Sequence, residues 1–591
     1  MWKRRRKRRA LAEQASQAEE RRASDASEAT NDGAVDSDET MAPSDRPVFL
    51  PLILSVVLVF FGIYLAIHIG LVSSSFMEDL NRPKPALAAV PPKLGTPTTR
   101  RARRVVVVVI DGLRLEDSYG LSYLDGLRRM GVDASATSHY PTISRPNHVT
   151  IVTGVPPRAS GVRTNAYSDP VMLDSLMDRA GDGAMQSAFV GDYTDGLPLM
   201  FSRPTESGHR SPFHDANRAS WPGGLEASLR RMVADDYPLV VCIAGGVDAA
   251  GHEFGGDTVE YRRATREIDA LLARALAGLD FEHDALVITA DHGHTDPGGH
   301  GGIETEVMEV PLILVGAGVR AGAAITEAEL IDVAPTVAAL LGMPAPGHGL
   351  GRTLLEALSL TDDDRDTLDQ ADDERVRRNR ELVNAWQASG RQQVARARIW
   401  RVPFIGVAVA VGVCLILFAR RFGALQIDWR VLLIAMPSFP VSYYLLLAVF
   451  GQQFSPSFVP ERGNVEDLLF RFGLMSTGAQ IVASWFAFRG RVVLAERLAT
   501  ANGLFLCGLL ASLSVLGLFW AIWPGPFIEP PPPVLFVLIP ATYVACACFA
   551  LAVVTTLTLE IIVFFARAVD PRLLRRRRRR RGRKRRKRSP R

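Results

Sequence analysis

Three short apolar segments of this sequence are each followed directly by acidic residues and histidines. The segments span residues 105–110, 239–243 and 286–289, and the side chains that follow them are Asp111, then Asp248 and His252, then Asp291, His292 and His300. Carboxylate oxygens and imidazole nitrogens without thiolates form a donor set that suits Zn²⁺ and tolerates Mn²⁺. The residue types therefore predict a metal site, provided that the fold brings the three groups together.

The segments that precede these residues have the pattern of buried strands. They are rich in valine and isoleucine, and amphipathic helical stretches separate them. Strands that are buried on both faces are typical of a parallel sheet, and such sheets bind ligands at the carboxyl ends of their strands. We therefore predict that residues 104–359 form one α/β domain, a mostly parallel sheet flanked by helices, with the site at that edge.

A further candidate lies in the segment Tyr-Pro-Thr-Ile-Ser-Arg-Pro-Asn-His at residues 140–148. Pro146 suits the first position of a helix, which would make Ser144 or Arg145 the cap residue. Ser144 could serve only as this cap. Its hydroxyl could instead act as a nucleophile, because the positive end of a helix favours a developing alkoxide and binds phosphate. Thr142 is the other candidate nucleophile, and its distance from Pro146 places it in the preceding strand or loop.

The charges of this chain are segregated along the sequence. Its 591 residues carry a formal net charge of +5, with lysine and arginine crowded at residues 1–9 and 572–591 and acidic residues frequent at 13–45. Basic runs beside apolar spans favour contact with anionic lipid, and no nucleic-acid partner is expected. Cys242 is the only cysteine outside the apolar spans. A disulfide framework is therefore excluded, and histidines and carboxylates must hold any metal.

Long apolar runs predict an integral membrane protein with one N-terminal anchor and a C-terminal bundle of about five transmembrane helices. The predicted spans are residues 48–72, 402–419, 431–450, 472–488, 503–523 and 534–565. Six crossings place both termini on the side that also holds Arg420, Arg421, Arg489 and Arg491, and the positive-inside rule makes that side cytoplasmic. The α/β domain is then extracytoplasmic, and we expect the membrane to be a bacterial inner membrane. Glu560 in the last span is a functional candidate, because ionisable groups are costly inside a bilayer.

The remaining segments complete the predicted organisation around the α/β domain. They are a disordered tail at residues 1–46, the anchor at 48–72, an extended linker at 73–103, a charged helical linker at 360–401, the helix bundle at 402–567 and a basic tail at 568–591.

Four motifs, taken in order, resemble those of the alkaline phosphatase superfamily. They are Asp111-Gly112, Pro141-Thr142-x-Ser144-x-Pro146-x-His148, Asp248-x-x-x-His252, and Asp291-His292-Gly293 with His300-Gly301-Gly302. The resemblance is to its phosphodiesterase branch, which includes the nucleotide pyrophosphatases and the GPI ethanolamine phosphate transferases. The short distance from Asp291 to His300 is similar to that in the transferases. A sulfatase signature requires arginine where His148 stands, so conversion of Ser144 to formylglycine is not expected.

The resemblance implies a centre with two metal ions and a serine nucleophile. One ion would be held by Asp111, Ser144, Asp291 and His292, and the other by Asp248, His252 and His300. Ser144 would be the nucleophile. Asn165 stands where the family has an amide that binds a phosphate oxygen, although an asparagine here could also serve only in a turn. His294 replaces a methionine that is common in the family, and the resemblance assigns it no role.

We therefore predict a membrane-bound, metal-dependent enzyme that cleaves phosphodiesters through a covalent intermediate on Ser144. The predicted reaction transfers a phospho-alcohol group, such as phosphoethanolamine, from a lipid or lipid-linked phosphodiester to an extracytoplasmic acceptor. A hydrolytic phosphodiesterase or nucleotide pyrophosphatase is the first alternative, because water in place of an alcohol acceptor gives a hydrolase. A non-catalytic membrane protein, which keeps this fold only to bind a ligand, is the second.

Overall fold

The computed structural model describes residues 48–82, 85–191, 213–215, 223–450, 454–458, 464–489, 491, 493–522 and 529–569. The predicted disordered tail at residues 1–46 lies outside the described residues, as does the basic tail from residue 570 onward. Within the described chain, an α/β domain is joined to a group of long apolar helices.

A seven-stranded sheet in the order β2-β7-β6-β1-β5-β3-β4 forms the centre of the described α/β domain. The strands are β1 (Arg104–Ile110), β2 (Val132–Thr137), β3 (Ser187–Gly191), β4 (Phe213–Asp215), β5 (Leu239–Ala244), β6 (Asp284–Thr289) and β7 (Glu309–Gly316). Strand β1 pairs in parallel with β5 and β6, and β3 pairs in parallel with β5 and β4. Strand β7 is antiparallel to both β6 and β2. The predicted mostly parallel sheet is confirmed, with β7 as its antiparallel member.

Strand β1 lies in the middle of the sheet because its side chains are apolar on both faces. Residues 105–110 are all at most 1% exposed. Val109 lies opposite Thr289 of β6, and Ile110 lies opposite Ala244 of β5. The three strands therefore end side by side, and the acidic residues that follow each of them lie at one edge of the sheet.

Helices cover the sheet and precede it in the chain. Up to the end of the α/β domain they are α1 (Phe49–Ser74), α2 (Phe76–Leu80), α3 (Ser122–Met130), α4 (Ser144–Thr153), α5 (Pro157–Ser160), α6 (Leu176–Asp182), α7 (Gly223–Ala234), α8 (Gly246–Phe254), α9 (Val259–Ala275), α10 (Thr305–Met308) and α11 (Val333–Leu340). Helices α4 and α8 follow β2 and β5 and begin at the edge where the acidic residues lie, so they present their first turns to the site.

Helix α9 holds the turn that follows β1. The Thr258 side chain caps the helix by accepting the Tyr261 N–H. The Tyr261 hydroxyl donates to Gly112 O at 2.6 Å and accepts the Arg114 N–H at 3.0 Å. Because the Tyr261 hydroxyl bonds to two backbone groups of this turn, Asp111 at the start of the turn is held in a defined position.

The predicted extended linker is more ordered than its proline content indicates. Helix α2 and a 3₁₀ turn at Ala86–Ala89 fall within residues 73–103. Leu80 and Leu87 in this segment are completely buried. Burial of such apolar side chains stabilises a docked conformation, so this part of the linker packs against neighbouring elements.

Five described helices are long and apolar enough to cross a membrane. The helices that follow the α/β domain are α12 (Asp362–Arg421), α13 (Trp429–Val449), α14 (Asn464–Phe488), α15 (Leu494–Ile522) and α16 (Pro533–Val569). The five are α1, α12, α13, α15 and α16. The predicted charged linker and the first span of the bundle form a single helix of 60 residues, α12. The chain is therefore an integral membrane protein, as predicted.

The predicted span at residues 472–488 lies in α14, which is not among those five helices. Its polar residues Ser476, Gln480 and Ser484 recur at every fourth position and are at most 1% exposed. Leu474 and Trp485 on the same helix are exposed. The polar face is thus turned into the bundle and the apolar face outward, which explains the low overall apolarity of this helix.

The two ends of α14 lie on opposite sides of the bundle. Before it, Ser457 in the connection from α13 accepts a hydrogen bond from Gly302 N–H of the α/β domain at 2.8 Å. After it, Arg491 pairs with Asp428, which caps the start of α13. Helix α14 therefore runs from the side of the α/β domain to the opposite side.

Glu560 of α16, the intramembrane candidate, is 6% exposed. Arg497 of α15 donates from Nε to its Oε2 at 2.8 Å, and a second guanidinium nitrogen contacts Oε1. Because a bidentate ion pair provides hydrogen bonds to both carboxylate oxygens, the structure favours a role for Glu560 in joining α15 to α16.

Candidate metal centre

The predicted metal ligands come together at the carboxyl edge of the sheet. The turn after β1 supplies Asp111, helix α8 after β5 supplies Asp248 and His252, and the loop after β6 supplies Asp291, His292 and His300. The three carboxylates and the last two histidines are at most 6% exposed. The side chains form two neighbouring clusters, and His292 has suitable spacing to both of them.

The first cluster contains Asp111, Asp291 and His148, whose ligand atoms all lie within 4.8 Å of one another. The Nε2 atom of His292 lies 3.5 Å from Asp111 Oδ1 and 3.3 Å from Asp291 Oδ2. Ser144 Oγ lies 3.1 Å from the same nitrogen. The structure thus places Asp111, Ser144, Asp291 and His292 together and adds His148 to them.

The second cluster surrounds the Oδ1 atom of Asp248. This oxygen lies 3.3 Å from His252 Nε2, 3.6 Å from His300 Nε2 and 3.0 Å from His294 Nε2. The Nε2 atoms of His252 and His300 are 3.1 Å apart. Asp248, His252 and His300 therefore lie close together, with His294 as a fourth member. His292 also has metal-ligand spacing with Asp248, His294 and His300.

The hydrogen bonds of two histidines determine which nitrogen faces the clusters. His292 Nδ1 lies 3.1 Å from Gly293 O, and His300 Nδ1 lies 2.7 Å from Thr142 O. A carbonyl oxygen can only accept, so both Nδ1 atoms carry the proton. The lone pair of each Nε2 then points toward the carboxylates, which is how metal-binding histidines are commonly oriented.

His294 has the opposite tautomer. Its Nδ1 accepts the Gly299 N–H at 3.2 Å, so its Nε2 carries the proton and donates to Asp248 Oδ1 at 3.0 Å. A Cβ on Gly251 would lie 2.5 Å from the ring, so the glycine in the Asp248-x-x-Gly251-His252 motif makes room for it. Although His294 has metal-ligand spacing with Asp248, His292 and His300, its tautomer makes it an orienting group for the carboxylate.

The charges of the first cluster fit a bound cation. Burial and repulsion from Asp291 and Asp248 raise the pKa of Asp111 well above its usual range. Asp291 Oδ2 and His148 Nε2 are 3.2 Å apart, yet within the described part of the chain neither atom makes a hydrogen bond of suitable geometry. Buried carboxylates in this state are costly unless a positive charge lies between them. The residues present therefore fit a metal centre.

The histidines of the site differ in charge. Burial lowers the pKa of His292 to about 3 and that of His294 to about 4, so both are neutral at pH 7, as metal ligation and its support require. Burial also opposes the charged form of His148, but the neighbouring Asp291 and Asp111 outweigh it and raise its pKa to about 10. His148 therefore supplies a positive charge to the carboxylates when no cation is bound.

Helix α4 begins at Ser144, which corrects the predicted capping arrangement. Pro146 is the third residue of the helix, and Ile143 occupies the cap position without a side-chain hydrogen bond. Proline is tolerated here because the first N–H groups of a helix have no intrahelical partner. The Ser144 hydroxyl is thus free of a capping role and lies at the first cluster instead.

Thr142, the alternative nucleophile, is held in a different network. Its hydroxyl donates to Gly302 O at 2.8 Å and accepts the Gly301 N–H at 3.0 Å. The side chain is completely buried. Because its proton is engaged with a carbonyl away from the carboxylates, the geometry favours Ser144 over Thr142 as the nucleophile.

Asn165 lies beside the start of α4. Its Oδ1 accepts the Arg145 N–H at 2.9 Å, which leaves the amide NH₂ as the donor that a ligand oxygen can meet. The residue is exposed, unlike the carboxylates of the site. The structure therefore brings the predicted phosphate-binding amide to the residue that follows Ser144.

Sequence reasoning missed the parts played by His148 and His294. His148 entered only as the residue that excludes a sulfatase signature, and His294 only as a departure from a common methionine. Both were visible as histidines within the motifs, but their spacing alone does not distinguish a ligand from a supporting group.

Comparison with known proteins gives two family matches in the α/β domain. Residues 105–224 match the family type I phosphodiesterase / nucleotide pyrophosphatase, and residues 211–345 match the metalloenzyme superfamily. The chain is 25% identical over 353 residues to GPI ethanolamine phosphate transferase 1 of Mus musculus, covering 50% of this chain and 37% of the relative. It is 25% identical over 351 residues to GPI ethanolamine phosphate transferase 2 of Aspergillus fumigatus, covering 52% and 44%. The chain thus spans less than half the length of these two relatives.

A bacterial relative and a solved structure match shorter parts of the chain. The 2,3-bisphosphoglycerate-independent phosphoglycerate mutase of Cereibacter sphaeroides is 36% identical over 136 residues, 22% of this chain and 26% of the mutase. The structure of murine ectonucleotide pyrophosphatase / phosphodiesterase 5 aligns with a TM-score of 0.36 and 14% identity, over 41% of this chain and 96% of that one. Over the matched residues, the α/β domain of this chain is therefore similar to the metalloenzyme superfamily and to type I phosphodiesterases and nucleotide pyrophosphatases, in agreement with the resemblance of its motifs.

Proposed function

We propose that this chain is a membrane-bound enzyme that transfers a phospho-alcohol group, such as phosphoethanolamine, from a lipid phosphodiester to an acceptor outside the cytoplasm. The observation that carries the proposal is the position of the metal centre against the membrane bundle. Ser457, in the connection between α13 and α14, bonds to Gly302 two residues after His300. Tyr140, four residues before Ser144, donates to Pro531 O just before α16. A site in this position is within reach of lipid head groups.

The proposed ligand sets are those that the resemblance implies, and the distances within the two clusters support them. Asp111, Ser144, Asp291 and His292 would hold one divalent cation, and Asp248, His252 and His300 would hold the other. A donor set of carboxylates and imidazoles fits Zn²⁺, with Mn²⁺ as the alternative. Such cations lower the pKa of a bound hydroxyl and stabilise charge on phosphoryl oxygens.

Ser144 would attack the phosphorus of the donor in line. Its Oγ–P bond forms as its O–H bond breaks, while the P–O bond to the lipid alcohol breaks and the departing oxygen takes up a proton. The Asn165 amide and the N–H groups at the start of α4 would bind a phosphoryl oxygen, since a helix N-terminus is suited to anions. In the second step an acceptor hydroxyl loses its proton as its oxygen bonds to the same phosphorus, the bond to Ser144 breaks, and the Ser144 oxygen takes up a proton to become a hydroxyl again.

Similarity supports transfer as the outcome of this chemistry. The matched GPI ethanolamine phosphate transferases of mouse and Aspergillus fumigatus are transferases by name. The bundle also has more helices than an anchor requires, and its loops contact the site. The hydrolytic alternative is supported by the family match at residues 105–224, because water can replace the acceptor hydroxyl in the second step.

The proposed orientation places the α/β domain outside the cytoplasm and both termini inside, in a bacterial inner membrane. Arg420 and Arg421 end helix α12, and Arg491 pairs with Asp428 on the side of the bundle away from Gly302. Positive residues concentrated on that side support its assignment as cytoplasmic. Counting α14 as a crossing gives six, and the basic tails would then face the anionic inner leaflet.

The test uses purified chain in vesicles that contain phosphatidylethanolamine with an isotopically labelled ethanolamine, together with a membrane glycolipid extract as acceptor. Transfer releases diacylglycerol and moves the label to a new glycolipid, and both products should disappear when a chelator removes the metal. Diacylglycerol with free labelled phosphoethanolamine would replace the proposal with the hydrolytic alternative. A chain that retains its metal but forms neither product would favour the non-catalytic alternative.

A further inference from the structure

We propose that the connection between α13 and α14 is a working part of the metal centre, because it positions the loop that carries His300. We call residues 454–458 the bundle loop and residues 298–302 the glycine-rich loop. The inference rests on the proposed role of His300 as a metal ligand. It assigns positioning roles to Glu304, Ser455 and Ser457, which lie outside the four motifs described above.

The glycine-rich loop is held on its inner side by the segment before the nucleophile. The Thr142 hydroxyl bonds to Gly301 N and Gly302 O, and Thr142 O accepts the proton of His300 Nδ1 at 2.7 Å. These bonds orient the ring of His300, but the ring keeps its position only if the whole glycine-rich loop is held in place. The outer side of the loop must therefore also be held.

The bundle loop holds that outer side through one carboxylate. Ser455 Oγ donates to Glu304 Oε1 at 2.7 Å, and Ser457 Oγ donates to Glu304 Oε2 at 2.6 Å. Ser457 Oγ also accepts the Gly302 N–H at 2.8 Å. Ser457 is 1% exposed, so its bond to the Gly302 N–H is shielded from water. Hydrogen bonds to a charged group in such a place are stronger than ordinary ones.

The glycines of the loop allow this close approach. Gly299 has a φ of +93°, and a Cβ there would lie 2.1 Å from Ser457 O. A Cβ on Gly302 would lie 2.2 Å from Glu304 Oε2 and 2.6 Å from Ser457 Oγ. The glycine-rich sequence around His300 thus has a physical reason, which is contact with a segment of the membrane bundle.

The consequence is that the bundle loop positions a histidine of the second cluster. Groups that orient a metal ligand from outside the coordination shell change metal affinity by about 10- to 100-fold when they are removed. The same loop also carries the Gly299 N–H that sets the tautomer of His294. Displacement of the bundle loop would therefore disturb both His300 and the histidine that orients Asp248.

The experiment measures zinc affinity of the full chain in detergent by competition with a chromogenic chelator. Ser457→Ala and Glu304→Ala should each weaken one of the two bound zinc ions by about 10- to 100-fold. The double variant should be no weaker than the worse single variant, because both changes break the same contact. Ser514→Ala is the matched control, since among the described residues this hydroxyl bonds to Leu510 O of its own helix, and the variant should bind zinc like the unmodified chain.

Hydrogen exchange of the metal-free chain supplies a second readout that does not depend on zinc. Peptides covering residues 298–304 should exchange faster in Ser457→Ala than in Ser514→Ala, with equal exchange in β1. Unchanged zinc affinity and unchanged hydrogen exchange in both Ser457→Ala and Glu304→Ala would overturn the proposal while leaving the metal centre intact. Failure of the unmodified chain to bind zinc would instead overturn the proposed metal centre, and the positioning role with it.

Discussion

The two clusters of the metal centre are built from different parts of the molecule. Asp111, Asp291 and His148 come from the ends of two central strands and from the first turns of α4, and His148 is 5% exposed. In the second cluster, the His252 side chain is 26% exposed and His300 lies on a loop that the membrane bundle contacts. The first cluster therefore depends on the core of the α/β domain, whereas the second also depends on how the domain sits on the bundle.

This difference has a functional consequence in the proposed reaction. The candidate nucleophile Ser144 lies at the closed, rigid cluster, where a fixed geometry favours in-line attack. The more exposed cluster around His252 is the side at which an acceptor hydroxyl or water can enter. Substitutions that affect one cluster at a time should therefore distinguish the loss of catalytic activity from the loss of bound metal.

Ser144→Ala should have the largest effect on activity. Loss of the nucleophile should reduce the release of diacylglycerol by at least about 1000-fold. The hydroxyl is only one donor among several, so most of the bound metal should remain. Product analysis together with elemental analysis of the purified variant checks both expectations. A variant that keeps full activity would remove Ser144 from the mechanism, and Thr142→Val would then be the next change to test.

Asp291→Asn should empty the first cluster while the second stays occupied. The change removes one of the buried carboxylates that a cation offsets, and it should lower the affinity of that site by about 100-fold or more. Asp235→Asn serves as the control, because Asp235 is exposed and pairs with Arg231 on the surface. Equal metal content in the two variants would show that Asp291 is not a ligand.

His294→Met should have a smaller effect, confined to the second cluster. It removes the N–H that orients Asp248 and the acceptor for Gly299 N–H. Zinc at the second cluster should bind about 10- to 100-fold more weakly, with the first cluster unchanged. His283→Met, at an exposed histidine, should have no effect. A complete loss of the second metal would indicate direct ligation by His294.

The smallest expected effect is on stability, through His148 in the metal-free chain. Its pKa is raised from 6.5 to about 10 by Asp291 and Asp111. A group with a raised folded-state pKa stabilises fully below its unfolded value and loses that contribution as pH rises through the folded one. In the presence of a chelator, the midpoint temperature of thermal unfolding should therefore fall between pH 6.5 and about 10. It should fall more steeply for the unmodified chain than for His148→Gln. Parallel pH profiles would contradict this role.

Much of the α/β domain could be predicted because its signals are local. Runs such as residues 105–110 are apolar on both faces, and only central strands of a parallel sheet bury such runs. The residue after each run then falls at one edge of the sheet whatever the details of the loops. For this reason the sequence pattern was enough to predict that Asp111, Asp248 and Asp291 lie together.

The helix bundle differs from its prediction at α14, because the predicted span at residues 472–488 is not among the five described helices that are apolar enough to cross a membrane. Apolarity identifies helices that face lipid, but α14 turns Ser476, Gln480 and Ser484 inward and so has too little apolar character to meet the same criterion. The start of α4 shows the same limit on a smaller scale. Proline is compatible with any of the first helical positions, and packing placed Pro146 third.

The sequence by itself determined the residue types of the metal centre, the edge of the sheet where they gather and the membrane character of the chain. These follow from patterns within a few residues of one another. The tertiary structure alone decided which nitrogen each histidine presents, the place of His148 between two carboxylates and the contact of Glu304 with the bundle loop. Those features depend on backbone groups far apart in the chain, such as Gly302 and Ser457, which are separated by 155 residues. Hydrogen bonds of this kind are set by where folded segments meet, and no local pattern records them.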